Sequence, residues 1–512
     1  MITKYLIPFS ILGLSVLTGC QKLKEDPKGN ITPVNAYSTA ADLESGLAAT
    51  YEQFAYDGVF GFTSKMTTYF GADDLTTDPT LNKGPFREFD ELSGTSQNNS
   101  LAVYGAWNGI YQANNLLSVY QKVNASDQEK TQVAGQCYFL RGWAYYMLVR
   151  TFGPLPLILE PTSPNANPPR DSVGNIYAAI VSDLKAAKAM LPVSFPGQPG
   201  KATSWAARSM LADVYLTMAG WPLNQTQYYA QAAAEADSVI TGGPFNLSTP
   251  YDKVFSTNNT PESIFALQYN VSGNLPQRSF GSSCVPFEET ALNGSGGWDD
   301  YYPEINFFKN APVCTRTDAT FYTTIKLLQP DKTYKLLAWS DTATHAKHPY
   351  YKKFRAGLNG DGVKETDTSI LSINPSTNKA LDIIRYPLVL LDYAEASTMA
   401  SGNPSSDAYN AINLVRQRAG EAPLTPGLGG TAFRDSVVFE RGYEFAGEFG
   451  IRWFDIVRLQ LLPKVIAARD PSENAIPATV SGNPATLQEK YLAPIPFNEM
   501  VLNPSWAQNP GY

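Results

Sequence analysis

Residues Phe439–Arg458 read FERGYEFAGEFGIRWFDIVR, and the way this stretch folds decides how the rest of the chain is organised. Its carboxylates Glu440, Glu444 and Glu448 recur every fourth residue, so a continuous helix sets them in one row. Phe439, Tyr443 and Ala446 fall on a neighbouring face, which leaves one side to pack and the other to carry charge. Arg441, Arg452 and Arg458, with Asp455, bring opposite charges within a turn or two, and Arg416 and Arg418 lie in a helical pattern upstream. Two chemistries fit the row. One is a carboxylate pair, Glu444 and Glu448, for acid–base hydrolysis of a glycoside. The other is a buried ion network that fixes helices against each other. The arginines nearly match the acids, as a satisfied interior requires, and this favours the network. Function is then to be sought elsewhere.

The 512 residues are ample for a large core, and 43% hydrophobic against 17% charged residues fits a globular chain. The 29 Tyr and 8 Trp are more rings than a core needs, and with Asn, Asp and Gly between them they suit flat, polar-edged ligands such as sugars or peptides. A net charge of −8 without a basic stripe argues against nucleic acid. His345 and His348 are the whole histidine complement, and HAKH on a loop offers too few ligands to predict a metal site. The glycines around Asp361 fail the EF-hand spacing, so a turn is expected there. No cofactor is implied.

Behind Lys4 an apolar run from Tyr5 to Leu17 is too short to span a bilayer comfortably. It ends in Leu17-Thr18-Gly19-Cys20, which resembles the lipobox of bacterial lipoproteins, whose Cys becomes the lipidated first residue. Residues 1–19 are then a signal peptide and 20–37 a lipidated Cys with an extended linker. Acyl chains at ~0.8 kcal/mol per buried methylene hold such a protein on a membrane. Gln21, Glu25 and Asp26 resemble an acidic surface-export signal. No other stretch reaches transmembrane length. Of the remaining cysteines, Cys137 reads as a small buried hydrophobe, and Cys284 with Cys314 is the one plausible bridge.

Helical periodicity opens at Ala40, with Ser38 or Thr39 as cap, and returns at 101–122, 126–152, 172–191, 203–218 and 228–240. The segment ARSMLADVYLTMAG, a turn, then YYAQAAAEADSVI spaces small and large residues like a tetratricopeptide repeat, and LVLLDYAEASTMA followed by DAYNAINLVRQRA repeats the pattern. The helical regions are 38–241 and 385–512. Two regions lack periodicity. Residues 57–100 form a long loop rich in Gly, Asp, Thr and Asn, carrying Asp78, Arg87 and Asn98. Residues 242–384 are loop-rich with short strands such as Ser263–Tyr269, and cluster rings in GGWDDYYP (Trp298, Tyr301) and at Trp339. The prolines of the tail, Pro494, Pro496, Pro504 and Pro510, predict an extended strap with no terminal helix.

Taken in order, the lipobox, LRGWAYYMLVRTFGPLPL, YPLVLLDYAEA, INLVRQRAG, ERGYEFAGEFGIRWFDIVR, the PIP strap and the terminal QNPGY resemble the RagB/SusD family along nearly the whole chain. The resemblance implies a mostly α scaffold of about four tetratricopeptide-like helix pairs, bearing an irregular, small-strand subdomain. It also implies a cell-surface lipoprotein of the outer membrane that is not an enzyme. Such a protein binds oligosaccharides, or in some cases peptides, and delivers them to a SusC-like TonB-dependent transporter. Many glycan-binding members carry Trp in the first loop, whereas residues 57–100 contain none. On loop placement and family position, Trp298, Tyr301 and Trp339 are the expected stacking residues, and Asp78, Arg87 and Asn98 the polar contacts of the ligand-binding region. A surface glycoside hydrolase using Glu444 and Glu448, and a repeat scaffold that binds proteins, are the alternatives.

Overall fold

The computed structural model describes residues 36–512 apart from 56–58, 61–62, 79–80, 102, 162–166, 271–282, 290–296, 355–371, 374–375 and 474. The expected signal peptide, Cys20 and Asp361 lie outside the described residues.

Ten helices carry the scaffold: α1 (Ala40–Ala55), α2 (Tyr104–Val119), α3 (Asp127–Phe152), α4 (Val173–Met190), α5 (Ser204–Met218), α6 (Tyr228–Gly242), α7 (Tyr386–Ser401), α8 (Ser406–Ala419), α9 (Gly430–Glu444) and α10 (Ile451–Arg458). Their starts follow the capping chemistry of the sequence. Ser126 and Glu129 form a reciprocal capping box on α3, while Ser172, Thr203 and Ser405 cap α4, α5 and α8. Each helix from α1 to α8 packs on the next, so α1/α2, α3/α4, α5/α6 and α7/α8 stack as tetratricopeptide-like pairs. Small residues permit the close approach: a Cβ on Gly109 of α2 would stand 2.7 Å from the Phe54 ring of α1. Among the described residues no helix is long and apolar enough to cross a membrane.

Helices α6 and α7 are spatial neighbours although more than a hundred residues separate them in sequence, so that segment is an insertion between two repeat helices. Its ends are zipped together: β1 (Ser263–Leu267) pairs antiparallel with β6 (Leu381–Arg385), from Ser263 opposite Arg385 to Leu267 opposite Leu381. Phe265 of β1 roots this pair in the helical core, its ring meeting the Trp143 ring edge-on at 5.3 Å. Within the insertion β2 (Phe321–Tyr322) pairs with β5 (Tyr350–Tyr351), and β3 (Thr324–Leu328) with β4 (Tyr334–Ala338). Cys137, Cys284 and Cys314 are buried and in no disulfide, so the expected Cys284–Cys314 bridge is not formed. The tail departs from the expected strap in one place. Phe497–Leu502 turns into a short helix bracketed by Pro496 and Pro504, because a proline just before a helix leaves no donor wasted. Beyond it Asn509 binds the carbonyls of Phe152 and Ala493 and straps the tail across the end of α3.

The Glu440/Glu444/Glu448 row is buried and fully engaged. Arg316 of the insertion reaches Glu444 at 3.1 Å and Glu421 at 2.6 Å, and it also pairs with Glu440. Arg385, at the end of β6, bridges Glu262, Glu444 and Glu448 at 2.8–3.0 Å. Arg416 holds Glu440, Arg418 holds Glu444 and Glu262, and Lys353 holds Glu448. One expectation is corrected: the helix stops at Glu444, and Glu448 is delivered by the turn to α10. Gly447 and Gly450 there have φ of 74° and 76°, a left-handed backbone that ends the helix. The turn also grips the first loop, since the Gly447 amide donates to Asp74 at 2.8 Å and Arg452 forks onto Asp73.

Removing one partner from a buried pair strands the other charge, at a cost of about 3–5 kcal/mol. Glu444→Gln and Arg385→Met are each expected to lower the unfolding free energy by about that amount in chemical denaturation. Burial pushes the Glu444 carboxyl up, but Arg418, Arg385 and Arg316 override it and hold the group at about 2. Its contribution is therefore fully present above the unfolded-state value of about 4.3 and is lost as pH falls from there through about 2. Over that window the wild type is expected to lose more stability than Glu444→Gln, read as the two denaturation midpoints against pH.

Candidate ligand-binding face

The first loop and the insertion meet along a short seam. Thr76 and Tyr302 exchange backbone hydrogen bonds, N–H to O at 2.8 and 3.2 Å, and the Thr77 hydroxyl donates to the Asp300 carbonyl at 2.7 Å. Lys83 is the clamp: its ammonium donates to the Trp298 carbonyl at 2.7 Å and pairs with the Asp300 carboxylate. A buried lysine so engaged fixes the 298–302 backbone against the helical turn Gly84–Asp90, which carries Arg87.

Four polar side chains converge on this seam. His345, on the turn after β4, places Nδ1 2.8 Å from Asp299 Oδ2 and 3.5 Å from Asp78 Oδ2. Tyr350 donates its phenol to the other Asp299 oxygen. Both carboxylates are buried while the imidazole is 44% exposed, so the cluster opens to solvent on the histidine side. Burial raises the Asp299 carboxyl to about 6 even though Tyr350 and His345 donate to it. Burial lowers the His345 imidazole, but Asp299, Asp78 and Glu288 outweigh that and raise it.

One exposed ring stands beside this cluster, and two tryptophans lie on the segments that carry it. Phe287 is 61% exposed with its ring 5.7 Å from that of His345. Trp298 and Trp339 are half-buried. The Trp339 ring stands at 79° to Phe308, and its carbonyl accepts from Thr344 beside His345, so one turn links Trp339 to the cluster.

The expected site residues separate into two groups. Trp298, Trp339 and Arg87 keep exposed surface, and Arg87 lies 3.7 Å from Glu91 one turn along. Tyr301 is a correction: it has no exposed surface and packs on Tyr351, because the Thr76–Tyr302 seam closes over a stretch whose glycines promised an open loop. Asn98 is a second correction. Its amide donates to the Pro85 carbonyl and Glu88, and its oxygen accepts from the Ser100 amide, so it shapes the loop from within. Asp78 is buried and turns towards His345. The sequence reading missed Phe287, Asp299 and His345 as members of one site. GGWDDYYP was the signal for Asp299, and HAKH for His345, but nothing in the spacing joined them. Glu444 and Glu448 are sealed in their ion pairs, so neither can reach a substrate as a hydrolytic pair. A separate cavity of about 490 Å³ between α2 and the tail, lined by Tyr104, Trp107, Arg170 and Trp506, contains none of the expected residues.

A profile described as starch-binding, associating with the outer membrane, matches residues 74–216, and the SusD family profile matches residues 337–512. The chain belongs to the SusD/RagB family. It is 28% identical to SusD-like protein P2 of Formosa agariphila, over 99% of this chain and 100% of that one. Its fold is similar to that of a SusD homolog from Bacteroides thetaiotaomicron, with a TM-score of 0.78 and 24% identity over 94% and 98% of the two chains. It is also similar to a laminarin binding SusD-like protein, with a TM-score of 0.73 and 23% identity over 93% and 100%. The mostly helical, tetratricopeptide-like scaffold is thus that of SusD-like structures.

The difference in burial between Tyr301 and Phe287 is directly measurable. Tyr301→Ala removes a sealed aromatic and is expected to cost about 3–5 kcal/mol. Phe287→Ala removes an exposed ring and is expected to change stability by no more than about 0.5 kcal/mol in the same denaturation experiment.

Proposed function

We propose that this SusD/RagB protein is a lipid-anchored protein of the outer-membrane surface that binds oligosaccharides and passes them unaltered to a SusC-like TonB-dependent transporter. The observation that carries the reading is the seam itself: the exposed Phe287 ring beside a polar cluster, with the half-buried Trp298 and Trp339 on the same segments, all on a clamped backbone. Aromatic faces take the apolar side of a sugar ring, and nearby donors and acceptors fix its hydroxyls. Trp298 and Trp339 are the stacking residues, Arg87 and His345 the polar contacts, and Asp78 and Asn98 hold the face in shape. Family membership supports binding without catalysis, and the laminarin-binding relative favours a glycan over a peptide. Residues 242–384 then serve as the ligand-binding region, with the helical regions on either side as its support. The anchor at Cys20 and delivery to the transporter rest on the lipobox and on the profile's outer-membrane description.

Isothermal titration with β-glucan, α-glucan, acidic oligosaccharides and peptides tests the reading. Binding to one glycan class is expected, weakened about two- to tenfold in Trp298→Ala, since one ring stack contributes about 0.5–1.5 kcal/mol. No binding by any glycan, or wild-type affinity in both Trp298→Ala and Trp339→Ala, would overturn it. Cys20→Ser is expected to move the protein from the outer-membrane fraction to the soluble fraction. Retention on the membrane would contradict the anchor.

A further inference from the structure

We infer that Asp78, Asp299 and His345 form a binding site for one divalent transition-metal cation of the zinc type. Asp78 Oδ2, Asp299 Oδ2 and His345 Nδ1 all lie within 4.8 Å of one another, although they come from the first loop, the 298–302 seam and the turn after β4. For bonds of about 2.1 Å, two ligand atoms on a tetrahedral ion stand about 3.4 Å apart. The Asp78–His345 separation of 3.5 Å already has that value. The Asp299–His345 separation of 2.8 Å is a hydrogen bond, and a small opening lets a cation replace the proton shared there. Binding therefore releases that proton.

The surroundings are those of a supported ligand set. Tyr350 occupies Asp299 Oδ1 and leaves Oδ2 for the site, while the Glu288 carboxylate receives the His345 backbone N–H and fixes the turn. Asp78, Asp299 and Glu288 set three carboxyl groups round one imidazole, and the nearby Lys83 is held by Asp300 and the Trp298 carbonyl. Both carboxylate ligands are buried, where a bound cation would balance their charge. One nitrogen and two carboxylate oxygens suit zinc or manganese, and calcium with its six to eight oxygens is disfavoured. The exposed side of His345 gives an entry path. The competing account is a histidine that bridges two acids by charge alone. Neither account depends on which ligand the face binds.

The test uses the full chain stripped of metal by chelation. ZnCl2, MnCl2 and CaCl2 are titrated separately by calorimetry in two buffers of different ionisation enthalpy, with metal content checked by mass spectrometry. The expected result is one Zn2+ per chain with proton release, weakened at least tenfold in His345→Ala and unchanged in His348→Ala. His345→Ala alters a partly exposed side chain, and its fold is verified by circular dichroism. Asp78→Asn serves as the second variant and is expected to weaken binding similarly. No saturable Zn2+ or Mn2+ binding, or binding that His345→Ala and Asp78→Asn both leave intact, would overturn the inference in favour of the charge bridge.

Discussion

The structure depends on a buried set of charges that no single segment can satisfy. Glu440 and Glu444 come from α9, Glu448 from the following turn, Glu262 from the start of the insertion and Glu421 from the turn after α8. Their cations, Arg316, Lys353, Arg385, Arg416 and Arg418, come from the insertion, the end of β6 and α8. Each ion taken from water costs several kcal/mol, so the arrangement persists only when every member has its partner. The insertion therefore has one position on the helical scaffold in which these charges are all matched.

That constraint reaches the candidate ligand face through the backbone. The turn carrying Glu448 also donates Gly447 N–H to Asp74, and Tyr351, two residues before Lys353, donates its phenol to the Asp74 carbonyl. Two residues further on, Thr76 pairs with Tyr302 and Lys83 clamps Trp298 and Asp300. Rings and polar groups are thus presented on loops whose backbone is fixed at several points. A preorganised face loses little conformational freedom on binding, so shallow contacts can still give useful affinity. Shallow contacts also release, as the proposed hand-over of the ligand requires.

Much of the scaffold was legible because helical spacing and capping are local signals. Ser126 with Glu129 states the start of a helix within a few residues of sequence, whereas the contact of Gly109 with Phe54 joins two helices. The break at Glu444 was less legible, since Gly447 and Gly450 fit a helix poorly but only the contact with Asp74 shows where the turn points. The face was legible in composition and not in geometry. GGWDDYYP announced rings and acids, yet whether Trp298 or Tyr301 would be covered depended on Thr76, more than two hundred residues away. His345 was set aside because its partners, Asp78 and Asp299, lie in other segments. Phe287, in a short turn of Phe287–Glu289, carried no pattern at all.

The central claim is that an ion-locked scaffold presents its ligand at the seam between the first loop and the insertion. Hydrogen–deuterium exchange on the full chain, with and without a saturating oligosaccharide, tests it most directly. The account predicts new protection at 283–289, 297–302 and 339–350, with 440–448 strongly protected in both states. Protection confined to the cavity lined by Trp107 and Trp506, or rapid exchange at 440–448 in the free protein, would contradict it.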